Sequence, residues 1–299
     1  MKKIFVPVLL LLLAACLFFG VRAFIARQKS PKVVLKKINE FVNNSKSITY
    51  ECDVKERIAS QIGLFDLFNT DSPSVEIVLD YQVDMFRDTD VVHTVCNIGG
   101  LSNNSVKEFE VTTLEEDESQ VTYYRWNKNW YKYKSESETS SISRNGIHLD
   151  RMIQEISEDP STVKIDEETK EIDGKECLVL ETLITGKQLD SYVSFCGRDG
   201  SIIPDLKDQE LKGQLYVDRK TYEPVRLKIS AEDFSSDIIE IEEFDMNVKV
   251  ENIKICIDVK GYDLVDKASI PGEYVQLMHL DDLKEIDIID VLLDISGLK

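Results

Sequence analysis

The sequence is poor in the residues that most enzyme chemistry uses. It has three histidines in 299 residues: His93 in a strand-like stretch, His148 at the start of a helical one, and His279 near the end. None belongs to an HExxH or other spaced metal set, and a lone histidine is ordinarily structural or superficial. The six cysteines contain no CxxC pair, which argues against a metal site. The five beyond Cys16 are Cys52, Cys96, Cys177, Cys196 and Cys256, an odd number that leaves at least one thiol unpaired. A chain of this length builds its own core and needs no disulfide frame, so buried free thiols are expected. There is no GxSxG elbow, Walker loop or GxGxxG. Acid pairs such as Glu115-Glu116, Glu167-Glu168 and Glu242-Glu243 occur, but among 55 acids adjacency arises by chance and most form a solvated face. Asp166 to Glu176 has the outline of a calcium loop, yet Lys170 holds a ligand position and Glu171 the place of the glycine. No metal, cofactor or catalytic residue is expected, and the chain reads as non-enzymatic.

Basic residues are the next scarcity: 36 Lys and Arg stand against 55 Asp and Glu, a formal net charge of −19. The deficit is uneven. Residues 1–37 hold eight bases and no acid, leaving a body with 28 bases, 55 acids and a net charge of −27. Such a body repels phosphate backbones, so a nucleic-acid partner is not expected. Basic at the start and acidic beyond suits a domain held near a membrane without lying on it.

Long hydrophobic runs are absent except at the start. MKK precedes IFVPVLLLLLAACLFFGV, an uncharged run of about 18 residues, the threshold for a spanning helix. Residues 1–26 are therefore read as a signal or anchor segment with three outcomes. It stays as an uncleaved helix; or Leu13-Ala14-Ala15-Cys16 acts as a lipobox, with lipid attached at Cys16; or cleavage follows Val21-Arg22-Ala23. The first two tether the body to the membrane. Counting positive charges alone places the body inside, because Arg22, Arg27, Lys29, Lys32, Lys36 and Lys37 follow the span. A short basic start followed by a leucine run is the export pattern, and the body is placed outside.

Beyond the anchor, Ser30-Pro31 opens a helix with serine as N-cap and proline at the first position. Val34, Leu35, Ile38, Phe41 and Val42 form its stripe, and Asn43-Asn44 closes it. The period then changes to two. In SITYECDVKE, Ile48, Tyr50, Cys52 and Val54 alternate with polar residues, and in VEIVLDYQVDMF so do Val75, Ile77, Leu79, Tyr81, Val83 and Met85. This is the antiparallel pattern with one dry and one wet face, and DVVHTVCNI, VKEFEVTTL and QVTYYRW continue it.

The stretch YYRWNKNWYKYK (Tyr123 to Lys134) holds both tryptophans, four tyrosines and four basic residues, with no acid. Tyr124 and Trp126 share a face going in, Tyr131 and Tyr133 share one coming out, Lys132 and Lys134 point the other way and Asn127-Lys128-Asn129 lies between, so the stretch is a hairpin of aromatic cross-strand pairs. HLDRMIQEIS repeats apolar residues at helical spacing (Leu149, Met152, Ile153, Ile156) up to Asp159-Pro160. Asp173-Gly174 marks a two-residue hairpin turn. QLYVDRKTYEPVRLKIS pairs Leu215 and Val217 with Val225, Leu227 and Ile229 across DRKT. EEFDMNVKVEN and IKICIDVKGY read as the last long strands, and DLKEIDIIDVLLDISGL as a closing helix.

This order resembles the LolA/LppX-like superfamily of bacterial envelope proteins, especially the membrane-anchored Gram-positive members. The likeness rests on a first helix, a long meander, the WNKNWYKY hairpin, a mid-chain helix, DGKECLVLE, LYVDRKTYEPVRLKI and a late FDMNVKV. It covers about residues 31–275; the tail 276–299 departs from it. The resemblance implies an α+β fold, a strongly curved antiparallel sheet (a half-barrel) wrapped around helices. It also implies an apolar, lipid-like ligand in the hollow, or an envelope stress-sensing role.

Two readings of the inward face follow. In one, Tyr50, Leu79, Tyr81, Met85, Tyr124 and Trp126 line a cavity for an acyl chain or other lipid. In the other they are a filled core, and the domain is an interaction module for an envelope protein. A connected apolar space of several hundred Å3 distinguishes the first from the second.

Overall fold

A computed structural model describes residues 30–60, 74–86, 91–99, 107–116, 119–126, 129–134, 146–186, 188–189, 193–194, 210–231, 239–241, 246–265 and 275–277. The first half runs α1 (Pro31–Asn44), β1 (Ser47–Ser60), β2 (Ser74–Phe86), β3 (Val91–Gly99), β4 (Lys107–Glu116), β5 (Ser119–Trp126), β6 (Asn129–Lys134), β7 (Gly146–Ile147) and α2 (Leu149–Glu158). The second runs β8 (Lys164–Ile165), β9 (Lys170–Ile172), β10 (Lys175–Thr185), β11 (Val193–Ser194), β12 (Glu210–Asp218), β13 (Pro224–Ala231), β14 (Ile239–Ile241), β15 (Met246–Tyr262) and β16 (Val275–Leu277).

Both helices form where periodicity and punctuation agree. Pro31 sits in the first turn of α1, where a missing N–H costs nothing, and Val34, Leu35, Ile38 and Val42 are buried. In α2 the buried residues are Leu149, Met152, Ile153 and Ile156, the stripe expected from the sequence. Both stripes join one apolar cluster with the inward residues of β1, β2, β10, β12, β13 and β15. The helices therefore cover one face of the sheet.

The sheet has fourteen strands in the order β16-β6-β5-β4-β3-β2-β1-β15-β13-β12-β10-β8, with β14 on β15 and β9 on β10. It is open, and every pairing is antiparallel except β16 with β6. β7 and β11 form a separate two-stranded piece. The joint between the halves is β1 with β15, thirteen residue pairs from Ile48↔Tyr262 to Ser60↔Val248. Asp263, in the left-handed region at φ 55, locks that joint. Its carboxylate Oδ1 accepts from Lys46 N at 2.7 Å and Ser47 N at 3.1 Å, and its own N–H donates to Ser47 O at 3.0 Å.

The tight turns follow their residues. Asp173 and Gly174 both have positive φ (49° and 77°) between β9 and β10, as a two-residue hairpin with the twist of its strands requires. After β12, Asp218 Oδ1 accepts from Lys220 N and Thr221 N, an Asx turn that leads to Pro224.

The structure corrects two sequence expectations. EEFDMNVKVEN and IKICIDVKGY are not two strands: from Met246 to Tyr262 they form the single strand β15, because no turn residue interrupts them. Val275–Leu277, which had no strand signal of its own, pairs in parallel with β6. The segment 1–26, Cys16 within it, and the tail from 278 onward lie outside the described residues. Among the described residues no helix is long and apolar enough to cross a membrane.

Candidate functional site

On the inward face, strand pairing carries each residue of β1 across the meander. The central row runs Tyr50, Val83, Thr94, Val111, Tyr124 and Tyr131. The rows beside it hold Cys52, Tyr81, Cys96 and Phe109, and Ile48, Met85, Val92 and Thr113. Leu79 lies opposite Val54 and Ile98, and Trp126 opposite Asn129 at the hairpin end. The six candidate cavity residues thus fall on three strands, β1, β2 and β5; for Leu79, Tyr124 and Trp126 the backbone position is what is described.

Three of the six belong to a filled core. Tyr50, Tyr81 and Met85 are 1%, 5% and 4% exposed and pack in the cluster that contains both helical stripes. The Tyr50 hydroxyl meets the backbone N–H of Leu149 at the start of α2. Burial, with Cys52 and Asp150 nearby, pushes its phenol well above the usual range, so it stays protonated. Tyr262 behaves similarly: burial raises its phenol, its hydroxyl donates to Pro224 O at 3.0 Å, and its ring meets Phe41 edge-on at 4.8 Å. These tyrosines fasten helices and turns to the sheet. Around α1 and α2 the space between helix and sheet is taken by protein side chains.

The cavity that opens among the described residues lies on the opposite, outward face and measures about 870 Å3. It crosses β1, β15, β13, β12 and β10 and is bounded by the segment around Thr162 and Lys164. Five lysines line it: Lys55, Lys164, Lys212, Lys228 and Lys254. Two carboxylates, Asp53 and Glu181, join them. Asp53 stands directly opposite Asp80 on β2, and burial together with that neighbour holds its carboxyl above the usual range. Cys256, partly buried, has its thiol raised by burial and by Asp258, which disfavours the thiolate. Cys52 and Cys177 are buried and in no disulfide. Among the described residues no group of three or more His, Cys, Asp or Glu side chains is arranged to hold a metal ion.

Sequence reasoning did not find this cleft. Its lysines are spread over 200 residues, and each alone reads as an ordinary outward strand residue. Only the register brings them together.

No protein-family model and no curated protein sequence matches the chain. Among solved structures it is similar to the lipoprotein LppX of Mycobacterium tuberculosis, at 12% identity over 80% of this chain and 98% of that one, with a TM-score of 0.41. It is also similar to a DUF1329 family protein from Desulfovibrio piger, at 14% identity over 80% of this chain and 94% of that one, with a TM-score of 0.25. Likeness at these values gives no function to any residue.

Proposed function

We propose that this is a membrane-tethered, extracytoplasmic, non-enzymatic protein that binds an apolar, lipid-like ligand in the hollow of a curved sheet. The observation that carries the reading is the register that aligns Tyr50, Val83, Thr94, Val111, Tyr124 and Tyr131 across six strands, a row of mostly apolar and aromatic residue types. The ligand wall is assigned to the β2–β6 part of that surface, with Leu79, Tyr124 and Trp126. Tyr50, Tyr81 and Met85 are already occupied by protein and form the floor against which the ligand stops. Tethering is supported by the apolar run of residues 4–21 and by Cys16 within it. The export pattern of the first residues supports the outer side.

Binding would come from buried apolar area at about 25 cal/mol per Å2, less the cost of ordering the ligand, so affinity rises with acyl-chain length. The test is native mass spectrometry of the full chain extracted from its own membrane fraction, followed by titration with fluorescent acyl probes. Bound lipid and chain-length-dependent uptake are expected, and Leu79→Asp is expected to abolish uptake in protein that still folds. Protein free of lipid, with probe binding no greater than that of a heat-unfolded control, refutes the reading. The filled core around α1 and α2 favours a second reading in that event: an interaction module that meets an envelope protein.

A further inference from the structure

Strand pairing on the outward face sets lysines against lysines. Lys55 on β1 is directly opposite Lys254 on β15. Lys254 is opposite Ser230 on β13, and Ser230 is opposite Lys212 on β12. With strands about 4.8 Å apart, Lys55 to Lys212 spans about 14 Å. In the adjacent row Lys228 lies between Cys256 and Gln214, and Glu181 faces Lys164 on β8. All of these side chains line the 870 Å3 cleft.

Like charges directly opposed across a sheet are destabilising; on this face Lys55–Lys254, Asp53–Asp80 and Glu51–Asp258 are so opposed, and each acid of the last pair has a cation beside it. One row beyond Lys228, Arg226 is ion-paired with Asp258, and Lys260 Nζ lies 2.6 Å from Glu51 Oε2. Among the described residues no carboxylate lies within ion-pair distance of Lys55, Lys164 or Lys212. Lysine is common on edge strands as protection against pairing, but β15, β13 and β12 are central. A face that was merely solvated would carry the mixed signs of a chain with 55 acids and 36 bases. The cleft instead holds five ammonium groups and two carboxylates. Of those two, Asp53 has its ionised form disfavoured by burial and Asp80.

From this arrangement we infer that the outward cleft is an anion-binding site for a compact ligand carrying two or three phosphate groups. The volume suits a molecule of small-ligand size, and the net negative charge of the remaining body repels a longer polyanion. Lysines act as separate point charges, which suits clustered phosphates. The planar fork that reads a carboxylate is not offered, because Arg226 is committed to Asp258. The Ser230 hydroxyl adds a neutral donor between Lys254 and Lys212, while the Gln214 amide donates to Glu181 Oε1 at 3.3 Å. A soluble oligophosphate and a multiply phosphorylated lipid headgroup present the same chemistry. The inference is independent of the apolar-ligand reading, since the two sites lie on opposite faces.

The test uses the full chain in neutral detergent, titrated calorimetrically with inorganic tripolyphosphate, pyrophosphate and orthophosphate, and with a soluble inositol bisphosphate headgroup. Saturable one-to-one binding that strengthens with the number of phosphates and weakens as salt rises is expected. Lys55→Gln and Lys212→Gln, at opposite ends of the row, should each weaken it at least fivefold. Lys220→Gln, on the exposed β12–β13 turn outside the cleft, should leave it unchanged. Tighter binding of tripolyphosphate assigns a soluble source, and tighter binding of the headgroup a lipid one; both uphold the site. Absence of saturable binding by any probe overturns it, as does equal weakening by Lys220→Gln, or orthophosphate binding as tightly as tripolyphosphate.

Discussion

Replacing Gly213 by alanine adds one methyl group to the inward face of β12, where Thr182 stands directly across on β10. A Cβ built there lies 2.9 Å from Thr182 Cγ2 and 3.0 Å from Ile184 Cδ1. Both neighbours are buried, at 6% and 4% exposure, so neither can turn away without displacing the core. Overpacking of this kind costs about 1–3 kcal/mol, and the reduced freedom of the unfolded chain offsets about 0.4–1 kcal/mol. The net expectation for Gly213→Ala is a loss of about 1–2 kcal/mol. Gly261 provides the control. Its added Cβ would come closer still, 2.6 Å from Leu264 Cδ1, but Leu264 is 62% exposed and can rotate into solvent. Neither glycine has a positive φ, so Gly261→Ala should be neutral or stabilising by up to about 1 kcal/mol. Urea unfolding of the two full-length variants, compared by midpoint at constant slope, measures both. If Gly213→Ala is as stable as wild type, or Gly261→Ala loses as much, packing around the Thr182–Gly213 pair is not what holds this half of the sheet.

Tyr50→Phe leaves the buried Leu149 N–H without its hydroxyl partner and should cost about 1–2 kcal/mol, read from the same unfolding midpoint. Asp84 and Asp53 should give opposite pH signatures. His93, 3.9 Å away, and the Thr49 hydroxyl hold the Asp84 carboxyl low against the effect of burial, so its stabilisation is present above the unfolded carboxylate range and lost as pH falls through it. Asp84→Asn should therefore destabilise at neutral pH and approach wild type below about pH 4. The Asp53 carboxyl is held high by burial and Asp80, so Asp53→Asn should stabilise at neutral pH, with the gain shrinking as pH falls into the carboxylate range. Cys16→Ser should remove a lipid-dependent mass increase if Cys16 is the lipid site and leave the mass unchanged if the segment spans; intact protein in the medium contradicts tethering altogether.

What was legible in the sequence was local. Helical spacing gave α1 and α2 with their buried residues, period two gave the strands of the meander, and Asp173-Gly174 gave the hairpin turn. Each signal is complete within a dozen residues. Pairing between distant segments was not legible: nothing near Ile48 or Tyr262 announces that β1 and β15 meet along their whole length. The same reason hid the outward cleft, because Lys55 and Lys254 become neighbours only after that register is set. The inward site was legible as a face but not as a cavity. An apolar strand face reads identically whether helices or a ligand cover it, and around Tyr50, Tyr81 and Met85 it is helices.

The order of charges along β1 shows that the outward face is not arranged for stability alone. Asp53 faces Asp80 on one side, and two residues on, Lys55 faces Lys254 on the other. Exchanging the two residues, Asp53→Lys with Lys55→Asp, would set a cation against Asp80 and an anion against Lys254. Both repulsive pairs would become attractive with composition, net charge and strand pattern unchanged. Cross-strand pairs of this kind differ by roughly 0.2–1 kcal/mol each, so the satisfied order lies one exchange away and is the more stable. The observed order does one thing the exchanged order does not: it sets Lys55 in one row of the cleft with Lys254 and Lys212, and leaves Asp53 in the adjacent row with Lys228 and Glu181. Where a sequence keeps a locally unfavourable arrangement in preference to an equally simple favourable one, the gain lies outside folding. Here the gain is a concentrated positive field in a cleft with low-dielectric walls, on a molecule whose remaining surface would exclude the same ligand.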